Sequence, residues 1–303
     1  MGRTFRLLVC ALLASPSLAF AQRFDDVGVR AQGMAGAFVA VADDATAAWW
    51  NPAGLATSLS VADLSAEVTE GGGRGIAFGF PSLGLSYYRL KISQIQPSGS
   101  IASPASGRQD NGAAGSRLPS GDAGLSQFGM TVGQSIGQRL VVATTVKLVN
   151  AQGDTQADLD VGAMASFGAL RLGVTVRDVR SPTFGSGSEA FELGRRARAG
   201  AAVITPGRGP LERLVFAIDA DLNSMRVGER DEQEVTGGVE SWWSGRRIGV
   251  RGGVGTNTAA GGGSFGALGV TVVPYARVNI DGAVTRGADS ARDRWSLGLR
   301  LAF

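Results

Sequence analysis

From residue 59 onward the chain is built on one repeating unit. A segment of about ten residues alternates apolar and polar side chains, and a polar joint follows it. Alternation with period two puts every second side chain on the same face of a strand. Fourteen such segments can be read: 59–69, 74–80, 83–93, 124–134, 139–150, 156–167, 170–179, 192–204, 212–223, 232–243, 246–255, 262–273, 276–286 and 294–303. The joints after even-numbered segments are tight, as at Pro81-Ser82, Gly137-Gln138, Gly168-Ala169, Ser244-Gly245 and Pro274-Tyr275. Those after odd-numbered segments are mostly longer and polar, as at 94–123, 180–191, 224–231, 256–261 and 287–293. Short turns at one end and long loops at the other are the asymmetry of bacterial outer-membrane barrels. A soluble sandwich has no reason to keep it through fourteen strands. The fold expected is all-β: a transmembrane antiparallel β-barrel of about 14 strands.

The parity of the side chains then separates lipid from lumen. Leu140, Val142, Val146 and Leu148 share a face, as do Leu159, Val161, Ala163, Ala165 and Phe167. In the last segment Trp295, Leu297, Leu299, Leu301 and Phe303 form another such row. Charges occupy the opposite faces: Asp158, Asp160, Arg171, Arg177, Asp219, Asp221, Arg247, Arg251, Arg277, Asp281 and Arg300. A charge at the lipid midplane costs about 2–4 kcal/mol, so these side chains are expected in the lumen. Both signs occur there, which suits ion pairing better than an ion-selective ring. Arg195, Arg196 and Arg198 break the parity near the start of segment eight and are expected above the membrane. Tyr87, Tyr88, Trp242, Trp243 and Tyr275 fall near the expected interfaces, where amphipathic rings form girdles.

Residues 1–21 read as an export signal, with Arg3 and Arg6 before the apolar run 7–14 and Ala19-Phe20-Ala21 as the cleavage site. Cys10 is the only cysteine and there is no histidine, so the mature chain has no disulfide, thiol nucleophile, cysteine–histidine zinc site or histidine-based triad. Removing Arg3 and Arg6 takes the 29 basic residues to 27 against 26 acidic ones, a net charge of +1. Such a balance does not suggest a nucleic-acid partner. No apolar run after residue 21 reaches the ~18 residues of a helical span.

One stretch, 25–57, does not follow the repeat. Its middle, 34–42, is small and apolar (MAGAFVAVA), and Asp43-Asp44, Trp49-Trp50 and Asn51-Pro52-Ala53 follow. Ala45 to Trp50 reads as a short helix capped by Asp44, and Pro52 cannot continue it. The run Gly33, Met34, Gly36, Ala37, Phe38, the A-D-D-A at 42–45 and the W-N-P-A-G-L-A at 50–56 resemble the N-terminal segment of the FadL/TodX-like outer-membrane transport proteins, their PorV/PorQ-like branch above all. The resemblance is specific over about thirty residues; beyond them only the strand pattern matches. It implies a hatch at 22–57 folded inside a barrel formed by 58–303. It also implies a lateral gap through which an apolar ligand leaves the lumen, and an outer-membrane location. A terminal aromatic such as Phe303 resembles the signal read by the barrel assembly machinery.

An apolar hatch in a charged lumen needs polar anchors, and Asp43, Asp44, Asn51 and Pro52 stand at its edge. Arg251, Arg277 and Arg300 are the candidate partners of the two aspartates. Met34, Phe38, Val39 and Trp49 are expected to line an apolar ligand pocket between hatch and wall. The glycine-rich runs lack the lysine of a phosphate loop, and no constellation of side chains points to catalysis, a cofactor or a metal. The function expected is passive uptake of small hydrophobic compounds, fatty-acid-like or aromatic. The alternative is a PorV/PorQ-like secretion or structural component that transports nothing, and a general hydrophilic pore stands third because the hatch opposes it. The partners expected are outer-membrane lipid, the assembly machinery and a small apolar ligand.

Overall fold

The computed structural model describes residues 20–21, 27–58, 61–91, 124–185, 191–227, 230–259, 262–288 and 292–303. Fourteen strands form a closed barrel: β1 (Asp63–Thr69), β2 (Gly73–Phe80), β3 (Leu83–Lys91), β4 (Gly124–Ile136), β5 (Leu140–Ala151), β6 (Asp154–Phe167), β7 (Leu170–Arg177), β8 (Arg196–Pro206), β9 (Leu211–Asp221), β10 (Glu234–Trp243), β11 (Ile248–Asn257), β12 (Ser264–Tyr275), β13 (Val278–Gly287) and β14 (Arg294–Ala302). Each pairs antiparallel with the next, and β14 returns to β1 from Ser296↔Thr69 to Ala302↔Asp63. Hydrogen-bonded ladders thus run all the way round the wall, with register irregularities between Leu211 and Arg213 and between Val272 and Tyr275. Closure leaves no strand edge unpaired, which the interior of a bilayer demands.

The alternation decides which way each strand faces. Along β5, Leu140, Val142, Val146 and Leu148 are exposed, while Val141, Ala143, Thr145, Lys147 and Val149 are buried. On β14, Trp295, Leu297 and Leu299 point out and Ser296 points in. Most short turns fall where the sequence puts them, the exception being Ala276-Arg277 in place of Pro274-Tyr275, and several use left-handed backbone: Gly137 (φ 68), Gly168 (φ 65) and Gly245 (φ 72).

Five sequence expectations are corrected. Arg277 (φ 74) sits in the two-residue turn between β12 and β13 and is exposed, so it is not a lumen charge. Arg247 likewise lies in the turn between β10 and β11. In both cases the following strand starts two residues later than its apolar pattern, at Ile248 and at Val278, which moves the arginine from wall to turn. Conversely, Arg196 and Arg198 keep parity, because β8 begins at Arg196: Arg198 is buried, and Arg196 binds the Asp221 carboxylate through Nε and Nη2, both at 2.9 Å. Tyr88 and Trp242 are buried in the lumen, only 1% and 2% exposed. Adjacent strand residues face opposite sides, so one member of Tyr87-Tyr88 and of Trp242-Trp243 has to point inward. Finally, the short helix starts at Ala47, two residues after the expected position, with Thr46 rather than Asp44 as its cap residue.

The long-loop end carries a small five-stranded sheet. Its order is Arg230–Glu232, Met225–Val227, Phe20–Ala21, Phe191–Glu192, Thr183–Phe184. Phe20–Ala21, the end of the expected export signal, pairs parallel with both of its neighbours in that sheet. Residues 1–19 and the loop 94–123 lie outside the described residues.

Segment 27–58 forms three short helices, α1 (Val29–Gly33), α2 (Ala47–Trp50) and α3 (Gly54–Ser58). It touches inward-facing residues of β1 and of β6 to β12, so it lies within the barrel. Nearly all its described side chains are buried, and with the wall they make the main hydrophobic core.

Candidate functional site: the filled lumen

The site is the contact between this segment and the wall. At its start Glu67 on β1 accepts hydrogen bonds from Gly28 N (2.9 and 2.8 Å) and Val29 N (3.1 Å), amides that α1 leaves without an internal partner. Arg30 is the hub. Its Nε and Nη2 donate to the two carboxylate oxygens of Glu240 on β10, at 2.6 and 2.7 Å. Its Nη1 reaches Asp43 and, at 3.3 Å, Asp44. Arg213 Nη2 holds the other oxygen of Asp43 at 2.8 Å, and Arg300 Nη1 approaches Asp44 Oδ2 at 3.4 Å. Burial by itself would raise the Asp43 pKa, but the guanidinium groups of Arg30 and Arg213 hold it well below the usual carboxylate range.

Of the three arginines expected to meet the aspartates, only Arg300 does. Arg251 is fully buried, yet its partners are Glu240 (3.4 Å) and Asp281 (3.1 Å), both on the wall. Asp44 organises its own turn, accepting from Thr46 N (3.0 Å) and Thr46 Oγ1 (2.5 Å). Asn51 spans segment and wall: Nδ2 donates to Val39 O (3.0 Å) and to Ala163 O on β6 (3.1 Å), and Oδ1 accepts from Ala53 N (3.2 Å). Pro52 packs on the same wall position, since a Cβ built on Gly162 would lie 2.8 Å from Pro52 Cδ. Asp219 on β9 takes both Phe38 N (2.7 Å) and Val39 N (2.8 Å) on one oxygen, and Asp63 takes Ala45 N at 2.9 Å.

Met34, Phe38 and Val39 are 0% exposed and Trp49 is 3% exposed. They fill space instead of lining it. The wall yields to them by being glycine: a Cβ on Gly253 would sit 2.4 Å from the Met34 carbonyl, and one on Gly173 2.6 Å from Val39 O. The aromatic rings meet guanidinium groups, with Arg177 3.5 Å over Trp49, Arg30 5.2 Å over Phe38 and Arg198 5.9 Å over Trp50. Such stacking gives a charged lumen an apolar surface to rest on. Tyr88 meets Trp49 edge-on at 5.4 Å.

A second polar cluster lies on β5 to β7. Lys147 Nζ is 2.6 Å from Asp160, 2.6 Å from Asp178 and 3.3 Å from Asp158. Three carboxylates could hold a cation, but the ammonium already stands at their centre. Sequence reasoning missed Arg30, Glu67, Arg213, Asp219 and Glu240 as anchors. Their signal was present: Glu67, Asp219 and Glu240 fall at inward-parity positions, and the glycines at 162, 173, 238, 253 and 269 fall at inward parity too. An inward glycine on several neighbouring strands marks where a backbone approaches the wall.

Similarity to known proteins bears on the wall more than on the segment. A family model described as "F plasmid transfer operon, TraF, protein" matches residues 144–221, the stretch from β5 to β9. No curated protein matches the chain in sequence. Among solved structures, the CymD monoaromatic hydrocarbon channel superposes with a TM-score of 0.59 at 11% identity, covering 91% of this chain and 97% of that one. The outer membrane protein Omp33 of Acinetobacter baumannii gives 0.48 at 6% identity, covering 80% of this chain and 98% of that one. The likeness to the CymD channel is one of fold: this chain has the architecture of an outer-membrane β-barrel.

Proposed function

We propose that the chain is an outer-membrane channel for small apolar molecules, with segment 27–58 as its gate. The observation that carries this reading is the apolar filling of a charged lumen, held to the wall through a few polar anchors. A lumen filled in this way excludes ions and water-soluble solutes. Displacing the segment would uncover the surfaces of Met34, Phe38, Val39 and Trp49, an apolar path bordered by stacked arginines. The hydrocarbon channel with the same fold supports a small apolar cargo. So does the FadL/TodX-like resemblance of the segment, and the export signal expected at 1–21 from its own residues is in keeping with both.

The test is conductance in planar bilayers together with uptake of an aromatic hydrocarbon into vesicles. The wild type should conduct little while admitting the hydrocarbon, and deletion of 28–48 should open a steady pore. A second reading, a PorV/PorQ-like barrel that transports nothing, is favoured by the closeness of the packing, since three of the four expected pocket residues are 0% exposed. Vesicles that exclude the hydrocarbon with wild-type protein and admit it only after the deletion would decide for that second reading.

A further inference from the structure

The short-turn end of the barrel carries an uneven charge. Arg139 lies in the turn between β4 and β5, Arg208 between β8 and β9, Arg246 and Arg247 between β10 and β11, and Arg277 between β12 and β13; all five are exposed. The one exposed carboxylate among the described residues of these turns and their flanks, Glu212, accepts a hydrogen bond from Gly245 N. Neighbouring turns at one end of a barrel are two strand spacings apart, about 10 Å. The arginines therefore form an arc along the rim from β4 to β13. The turns between β2 and β3, Pro81-Ser82, and between β6 and β7, Gly168-Ala169, carry no charge, so the arc is interrupted once between Arg139 and Arg208.

The level of this arc in a bilayer is marked by the residues next to it. The last residues of β2, β4, β6, β10 and β12 are Phe80, Ile136, Phe167, Trp243 and Tyr275, and each points outward and is exposed. Outward aromatic residues at a common height form the girdle at a membrane interface. The arginines come two to four residues after the strand ends, on the side of the girdle where a bilayer's phosphates lie. Arg139 is held over an outward ring, 5.7 Å from Phe167, while Arg246 lies 5.4 Å from the lumen-facing ring of Trp242. A guanidinium fixed in this way keeps its donors free for oxygen acceptors.

We propose that this arc is a binding rim for anionic phospholipid headgroups in the leaflet at the short-turn end. Short turns face the periplasm in bacterial barrels, which makes this the phospholipid leaflet of the outer membrane. The ligand chemistry is a phosphodiester in a lipid with net negative charge, drawn in by several arginines acting together. Net charge is what distinguishes such a lipid from a zwitterionic one, whose ammonium group the same arginines repel. The proposal rests on the barrel spanning a membrane, and heat-modifiable migration on gels checks that separately for every protein compared.

The experiment reconstitutes the folded barrel into nanodiscs mixing phosphatidylcholine with a minority of phosphatidylglycerol, and reads the bound lipid by native mass spectrometry. Wild type should retain phosphatidylglycerol about tenfold above its share of the mixture, as a few basic side chains at a surface allow. Replacing all five arginines by glutamine should bring retention down to that share, and replacing them by lysine should keep most of it. A second variant, Arg74→Gln with Arg89→Gln and Arg286→Gln, removes charge from the other end and should leave retention unchanged. Equal retention by wild type and the five-glutamine variant overturns the proposal. So does an absence of lipid preference in wild type, including the case in which the arc instead retains a soluble acidic protein.

Discussion

Asp219 holds two consecutive amides, Phe38 N and Val39 N, on one carboxylate oxygen inside the lumen. Asp219→Ala leaves both amides buried without an acceptor, at about 1–3 kcal/mol each. Hydrogen exchange at residues 38 and 39 should rise steeply in this variant while the ladder of β9 stays protected. Unchanged exchange there would show that the segment is held elsewhere. Asp43 gives a pH prediction with a definite sign. Its pKa in the docked segment is depressed from the ordinary value of 3.8 by Arg30 and Arg213, against the opposing effect of burial. A depressed carboxylate contributes its stabilisation in full above the undocked pKa, and loses it as pH falls through the docked one. The conductance difference between wild type and Asp43→Asn should therefore stay constant from about pH 8 to about pH 5 and shrink only below about pH 4. A difference that vanishes near neutral pH would contradict the pairing.

At the scale of elements, the wall and the segment are fitted to each other by omission of side chains. A Cβ on Gly253 of β11 would overlap the Met34 carbonyl carbon and oxygen at 2.4 Å, and backbone cannot turn aside as a side chain can. Gly253→Ala should cost about 1–3 kcal/mol of docking. The expected readout is flickering conductance from a barrel that still migrates as folded. The last strand makes a different prediction. Phe303 is exposed and stacks with Phe78 at 6.3 Å, and it exchanges two backbone hydrogen bonds with Ala62. Deleting it removes about 1–3 kcal/mol of apolar burial, a small loss for a finished barrel. If Phe303 serves assembly, the yield of folded barrel should fall by more than its thermal stability does; equal losses in both would make the residue a purely structural one.

The whole molecule separates into a wall that closes on itself and a segment that depends on it. The fourteen ladders pair only with one another, so the barrel should survive loss of the segment, whereas the segment has no core without the wall. Deletion of 28–48 should leave heat-modifiable migration and a strand-dominated circular-dichroism spectrum intact. A deletion variant that fails to fold would mean that filling the lumen is part of forming the wall. That outcome is readable because inward charges such as Glu240 would then lose their partners on the segment, Arg30 above all.

The strand count, the facing of each strand and the placement of short and long connections were legible along the chain, because alternation is a local property and lipid punishes any error in it. Leu140 to Leu148 and Trp295 to Leu299 face outward as their pattern dictates. The anchors were not legible to the same degree. Asp43 and Asp44 stood out beside the apolar run, but their main partner, Arg30, comes from the same segment, and Arg213 comes from a strand 170 residues away. Which inward charge meets which is set by the register and curvature of the closed wall. Arg277 and Arg300 looked equivalent along the chain until a turn took one out of the lumen and the barrel brought the other to Asp44. Tyr88 and Trp242 were decided differently: the alternation forces one of each pair inward and puts Glu240 on the face of Trp242, but only closure of the barrel around the segment supplies the Trp49 ring that Tyr88 meets.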